Sequence, residues 1–345
     1  MKRRSGLVAK PLLTAVFAGL VMAGAGAAEP PAVVASIKPV HSLVAAVMAG
    51  VAVPHLIVTG AASPHTHSLL PSDAEALAGA RLVFWIGPGM ETFLASSIGS
   101  LAAPGAVVRL ADAPGIASLP FREIALFAAD RDHHESDAGA HEPEGGEEAG
   151  HERPAADEHA HEAMEGAGHD HGGTDMHLWL DPDNAIAMVR EIESRLGAAD
   201  PANAKLYAAN AAALQSRIAG LARDIAAMLE PVRDRPFIVF HDGYQYFEKH
   251  FDLHAAGSIT VSPDRAPGAK RLAGIRDRVR GLSQVCVFAE PRFEPRIIAA
   301  VTEGTGALTG VLDPLGADLE DGPELYPALM RNLARSFSDC LAATS

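Results

Sequence analysis

Residues 202–232 read ANAKLYAANAAALQSRIAGLARDIAAMLEPV. Tyr207, Ala211, Leu214, Ile218, Leu221, Ile225, Met228 and Val232 are spaced alternately four and three apart, which draws one apolar stripe along a single helix. Asp200-Pro201 suits its first turn, and Pro231 helps to stop it. A helix over about 202–230 is roughly 42 Å long at about 1.5 Å per residue, enough to run the height of two domains. It therefore reads as a stiff strut between two lobes. The plainer reading is a long surface helix of one domain.

The flanks have a different rhythm. Short apolar runs at 32–37, 53–58, 81–86 and 106–110 read as strands, alternating with helices at 39–49, 72–79 and 90–102. After the strut, strands are expected at 236–240, 253–259, 285–289 and 307–312, with helices at about 243–251, 268–280, 293–303 and 324–341. Both halves thus read as α/β with largely parallel sheets. The expected organisation is an N-terminal lobe over 29–200, a linking helix over 201–231 and a C-terminal lobe over 232–345. About 317 residues remain after the leader described next, more than one core usually holds.

Lys2, Arg3 and Arg4 precede an apolar run from Leu12 to Ala23 and small residues through Ala28. That is the charged, apolar and cleavage-site order of a signal peptide over 1–28. As a membrane anchor the run is short and broken by glycine. The mature chain is therefore expected to be soluble and exported to the periplasm.

Residues 130–171 hold eight histidines (His133, His134, His141, His151, His159, His161, His169 and His171) and fourteen acidic side chains, against only Arg131 and Arg153. This tract carries 12 of the chain's 15 net negative charges, so the remainder is close to neutral. Half of the sixteen histidines fall in it, which favours metal handling over a merely solvated acidic linker. An acidic insertion over 130–174 with almost nothing to build a core is expected to be disordered and to bind zinc weakly through these imidazoles as a flexible array. The acidic balance, without a basic patch carrying interleaved aromatics, argues against nucleic acid.

Two cysteines, Cys286 and Cys340, lie in the last sixty residues. In an oxidising compartment one intrachain disulfide is the economical reading, closing a loop worth about 3–4 kcal/mol in the chain-entropy model. Two buried thiols are the alternative.

Four other positions recur at strand ends or turns. His65 follows the second strand, within Gly60-Ala61-Ala62-Ser63-Pro64-His65-Thr66-His67. His177 lies in Asp175-Met176-His177-Leu178-Trp179-Leu180. His241 ends the strand Pro236–Phe240, before Asp242-Gly243, and Asp313 ends the strand at 307–312. Parallel sheets bind ligands beyond the carboxyl ends of their strands. Three imidazoles suit tetrahedral zinc and leave one position for water or Asp313 as a possible fourth ligand. Each also has an ordinary explanation: a loop polar, a core histidine beside Trp179, or a turn former. His67 competes with His65, which is favoured because Ser63-Pro64 stiffens the chain before it. His55, His250, His254 and Glu290 read as structural or merely solvated.

At these residues the chain resembles the cluster A-I metal-binding proteins of bacterial ABC importers, closest to their zinc-uptake branch. The likeness runs through 60–65, Pro71-Ser72-Asp73, Asp175–Leu180, Phe240-His241-Asp242-Gly243-Tyr244, Cys286–Pro291 and Leu312-Asp313-Pro314-Leu315-Gly316, nearly the whole mature chain. It implies two α/β lobes joined by a rigid helix, metal ligation by His65, His177 and His241, and a Cys286–Cys340 disulfide. Manganese and iron relatives typically carry a carboxylate at the position of His241, so histidine there and the His-rich insertion imply zinc. Asp313 matches a ligand position of the manganese relatives. Some zinc members have a glutamate where Pro64 stands, which excludes that ligand here.

The function expected is a non-enzymatic periplasmic receptor that captures Zn2+ as transported ligand and delivers it to a membrane permease of an ABC importer. Periplasmic zinc chaperones are further expected partners, and the chain is expected to act as a monomer. A manganese or iron receptor of the same class, a zinc-dependent hydrolase and a metal-dependent adhesin compete with this reading. No H-E-x-x-H occurs to favour the hydrolase.

Overall fold

The computed structural model describes residues 30–122, 173–260, 267–282, 284–291 and 295–343. The expected leader over 1–28 and the eight histidines of the 130–171 tract lie outside the described residues.

Apolar, β-branched runs form two four-stranded parallel sheets. The first contains β1 (Val33–Ile37), β2 (His55–Val58), β3 (Leu82–Trp85) and β4 (Val107–Arg109) in the order β2-β1-β3-β4. The second contains β5 (Phe237–His241), β6 (Ala255–Thr260), β7 (Cys286–Ala289) and β8 (Leu308–Val311) in the order β6-β5-β7-β8. The halves therefore share one topology, and each has a switch point where strand order reverses, at β1/β3 and at β5/β7. Crossovers run through α1 (Lys38–Val47), α2 (Pro71–Gly79) and α3 (Thr92–Leu101) in the first half, and through α6 (Gln245–Phe251), α7 (Ala269–Gly281) and α8 (Pro295–Thr302) in the second. Between them stand α4 (Pro182–Ala199) and α5 (Ala204–Leu229), and α9 (Leu325–Ala343) closes the chain.

The strut is α5, 26 residues and about 39 Å long. It begins at Ala204 rather than 202, because Asp200 ends α4 and turns the chain. The Asp200 carboxylate accepts from the Asn203 amide at 2.7 Å and the Tyr207 hydroxyl at 2.8 Å. Pro201 thus lies in the turn, not in the first helical turn. At the other end Leu229 is buried and Met228 only half-buried, since a 3.6-residue period places Leu229 below Ile225.

One continuous core spans both halves. It includes Phe84 of β3, Trp179, Tyr207 and Ile218 of α5, Phe237 of β5 and Phe337 of α9. α5 packs on α1 and α4 on one side and on α9 on the other. A smaller cluster, with Ile238, Ile259, Ile275, Val279 and Val287, fills the outer layer under α7 and α8. Buried hydrogen bonds also cross between halves. The Trp179 indole N–H donates to the Pro314 carbonyl at 2.8 Å, and the Tyr326 hydroxyl donates to the Trp179 carbonyl at 2.9 Å. Lys38 Nζ donates to the carbonyls of Ala317 and Leu319 at 3.1 and 2.8 Å and pairs with Asp321. Hinge motion would have to break a shared apolar core, so this architecture resists it.

Cys286 of β7 and Cys340 of α9 form the disulfide, with Cα atoms 6.1 Å apart. It staples a central strand of the second sheet to the last helix.

Candidate metal centre

The centre begins at the switch point of the second sheet. β5 and β7 are neighbours with Phe237 opposite Cys286 and Ile238 opposite Val287. Carried forward, that register sets His241 beside Glu290, one residue past β7. The His241 Nδ1–H donates to Glu290 Oε1 at 2.5 Å, and both side chains are buried. The β5 run FIVF-H and the β7 run CVFA-E are equivalent in position, so their polar ends meet. Glu290 is therefore not a plain structural residue: it faces the cavity and orients a candidate ligand.

The second imidazole is supplied by an irregular segment. His177 precedes a single 3-10 turn, Leu178–Leu180, whose three side chains are buried and anchor it. Asp175 Oδ1 accepts from the His177 Nδ1–H at 2.7 Å and from its backbone N–H at 3.0 Å. Asp175 Oδ2 accepts from Gln245 Nε2 at 2.7 Å. Burial works against the Asp175 charge, but the His177 imidazole and these hydrogen bonds hold its pKa below the usual carboxylate range.

With both Nδ1–H groups committed to carboxylates, the Nε2 atoms of His177 and His241 face each other at 3.2 Å. Two bare lone pairs at that distance repel, and a cation between them, proton or metal, removes the conflict. Two nitrogens each about 2.0–2.1 Å from a tetrahedral zinc stand about 3.3 Å apart. The two carboxylates thus fix ring, tautomer and basicity together.

His65 completes the set from the first half. It sits on the turn after β2, half-buried, its backbone N–H donating to Ser63 Oγ at 3.3 Å. Its ring centroid lies 5.9 Å from that of His177, whereas His177 and His241 are 5.1 Å apart. Imidazoles sharing one tetrahedral ion have centroids about 5.2 Å apart. His65 therefore stands less than about 1 Å outside that spacing. Burial, and then the neighbouring His177 and His241, push its pKa down to about 3. It is a neutral donor throughout the physiological range.

These three side chains line one cavity with Glu290, Asp313, Met90 and Trp179, and its volume is about 30 Å³. That is room for a water or a bare ion. Asp313 borders it, but its carboxylate also builds the loop after β8. Oδ1 accepts from the N–H groups of Leu315 and Gly316 at 3.0 and 2.9 Å, and Oδ2 from that of Ala317 at 2.6 Å. Gly243 roofs the pair of imidazoles. A Cβ there would stand 2.3 Å from His241 Nε2 and 3.0 Å from His177 Nε2, so only glycine fits.

The other histidines separate clearly. His67 packs edge-on against Phe93, away from the set, with its ring centroid 5.0 Å off. His55 bonds Asp73 at 3.0 Å and ties β2 to the start of α2. His250 is more than a solvated residue, since its Nδ1 pairs with Asp181, which caps α4, at 2.8 Å. His254 is exposed.

Asp175 and Glu290 were missed as ring-orienting groups by the reading of sequence. Asp175 stands two residues before His177, a local signal, whereas Glu290 follows a strand and its pairing needed the register to be interpreted. Glu290→Gln keeps a hydrogen-bond acceptor but loses the charge that makes Nε2 basic. We expect a loss of zinc affinity between about tenfold and a hundredfold, read by chelator competition. Unchanged affinity would show that the carboxylate has no influence on the ring.

Two parallel sheets bridged by one long helix, with a cation-sized, imidazole-lined cavity between the halves, are the features of a metal-binding receptor. The chain belongs to the ZnuA family, zinc-uptake complex component A, periplasmic, whose profile matches residues 33–340. It is 49% identical over 343 residues to the high-affinity zinc uptake system protein ZnuA of Brucella suis biovar 1, covering 99% of this chain and 100% of that one. The ZnuA of Haemophilus ducreyi is 38% identical over 309 residues, covering 90% and 93%. A crystal structure of ZnuA superposes with a TM-score of 0.67 at 23% identity, over 90% of this chain and 99% of that one, which supports the fold. No helix among the described residues is long and apolar enough to cross a membrane.

Proposed function

We propose that this chain is the periplasmic receptor of a zinc importer, capturing Zn2+ between its halves and handing it to a membrane permease. The observation that carries the reading is the pair of carboxylate-held imidazoles whose Nε2 atoms face each other at 3.2 Å. His65, His177 and His241 are the ligands, and the fourth position belongs to Asp313 or a water. The turn bearing His65 closes on the ion by a small movement, while the shared core holds the lobes on either side of α5, at about 29–200 and 232–345, in place. A cleaved leader over 1–28 accounts for export, and the tract at 130–171 supplies a second, weaker zinc-binding function. The receptor acts as a monomer, with periplasmic zinc chaperones as upstream donors.

Hydrolysis is disfavoured by the chemistry of the lining: the carboxylates of Asp175 and Glu290 are each committed to a ring Nδ1–H rather than free to act as a general base. Three imidazoles also favour zinc over the manganese and iron alternatives, which prefer more oxygen donors. Calorimetry with zinc and manganese tests the assignment, and tighter manganese binding would overturn it.

Proton and metal compete for the same lone pair, so the pH response follows from the ring partners. Burial lowers the pKa of His241, but the Glu290 carboxylate and its hydrogen bond outweigh this and leave it raised. His65, held at about 3, does not protonate first. As pH falls through the raised His241 pKa, Nε2 is lost to a proton and affinity drops by about tenfold per pH unit. Chelator competition between pH 8 and 5.5 measures this. A flat profile would contradict the assignment of His241 as ligand.

A further inference from the structure

Next to the centre stands an arrangement that ligation alone does not explain. Residues 119–122 and 173–175 pair as a short stem, with Pro120 bridging Thr174 and the Phe121 N–H donating to the Gly173 carbonyl at 3.0 Å. This stem docks on the start of α6. The Leu119 N–H donates to the Tyr246 hydroxyl at 2.8 Å, and Gln245 Nε2 donates to the Pro120 carbonyl at 3.1 Å. At its end, Arg122 reaches into two buried carboxylates. Nε donates to both oxygens of Asp242 at 3.0 Å, and the two terminal nitrogens donate to Glu248 at 2.8 and 2.9 Å. The side chains of Asp242 and Glu248 are 5% and 4% exposed, so water screens little of this charge. Glu248 Oε2 also accepts from the Ala255 N–H, at the start of β6.

Asp242 is the residue after His241, and the next residue, Gly243, lies against both imidazoles with no room to spare. Without the guanidinium, two buried carboxylates would share one site and repel each other. The turn from His241 to Gly243 would then be the part free to yield, since Glu248 is held in α6. We propose that Arg122 is a positioning residue for metal retention: by clamping Asp242 to Glu248 it fixes the His241–Gly243 turn and slows escape of the bound ion. The same stem also places Asp175, which orients His177, so one docked element governs both buried imidazoles. This rests on the reading of His241 as a ligand.

The test uses the full-length protein loaded with zinc, with release followed after mixing with excess chelator. Arg122→Gln is expected to speed release by about tenfold, with Arg122→Lys, which keeps the charge but not the fork, in between. With Co2+ as probe, Arg122→Gln should shift the visible d–d bands, because the ligand geometry changes. Val279→Ala, in the outer layer of the second sheet, controls for stability: it should lower the melting temperature and leave release rate and spectrum unchanged. Wild-type release and spectrum in Arg122→Gln would overturn the proposal, as would equal acceleration in Val279→Ala. If Arg122→Gln does not fold, Arg122→Lys and Glu248→Gln provide the same comparison, and wild-type release in both would overturn it. Tight zinc binding that survived His241→Ala would instead refute the site assignment itself, so the two failures are distinguishable.

Discussion

His241→Ala should abolish the tight zinc-binding event, with a loss in affinity of roughly 1,000-fold, while the weaker uptake of the 130–171 tract persists. Three effects add in this one substitution. A nitrogen ligand is lost, the Glu290 carboxylate is left buried without its ring partner, and the cavity gains space that water enters. The buried carboxylate matters because losing its imidazole partner at this depth is costly. Calorimetry should show one fewer high-affinity event per chain, with the remaining heats resembling those of an acidic imidazole-rich peptide. Retention of wild-type affinity by the variant would mean that the ion is held elsewhere. Asp313→Ala is a useful contrast. It removes the acceptor for three backbone N–H groups of the loop after β8, so its effect combines loop loosening with any loss of a ligand.

Replacing Cys286 and Cys340 by alanine should cost about 3–4 kcal/mol of folding stability, because the bridge closes a long loop and restricts the unfolded chain. The sequence separation is 54 residues. For a chain of this size that corresponds to a fall in melting temperature of roughly 4–6 °C. Both sulfurs lie in the second half, and β7 leads directly into Glu290, so a modest loss of zinc affinity should accompany the loss of stability. Thermal unfolding with and without reductant, compared with the double variant, separates bridge from side-chain volume. Equal stability of the oxidised protein and the variant would show that the bridge contributes little beyond what α9 packing already supplies.

The pattern of elements was legible because parallel sheets covered on both faces need near-continuous apolar strands, and helices need a 3.6-residue stripe. Phe237–His241 and the stripe from Tyr207 to Ile225 satisfy those rules without reference to the rest of the chain. The turn at Pro201 was misread because local helix-start chemistry is the same whether a proline opens a helix or precedes the turn before it. Only the Asp200 contacts to Asn203 and Tyr207 separate the two. The candidate ligands His65, His177 and His241 were legible as residues at strand ends and turns. The Glu290 partner of His241 was not, because a hydrogen bond between positions 49 residues apart depends on strand register.

What the sequence alone determined was therefore periodic and local: two α/β halves, a connecting helix, an acidic histidine-rich tract and three imidazoles at positions where parallel sheets expose side chains. Tertiary structure decided which nitrogen of His177 and His241 faces the cavity and how large that cavity is. It also decided that both halves share one core and that Arg122 clamps the turn beside His241. The physical reason is range. Helix and strand periods are set by neighbours within a few residues, whereas tautomer, burial and charge pairing are set by groups that folding brings together from distant parts of the chain.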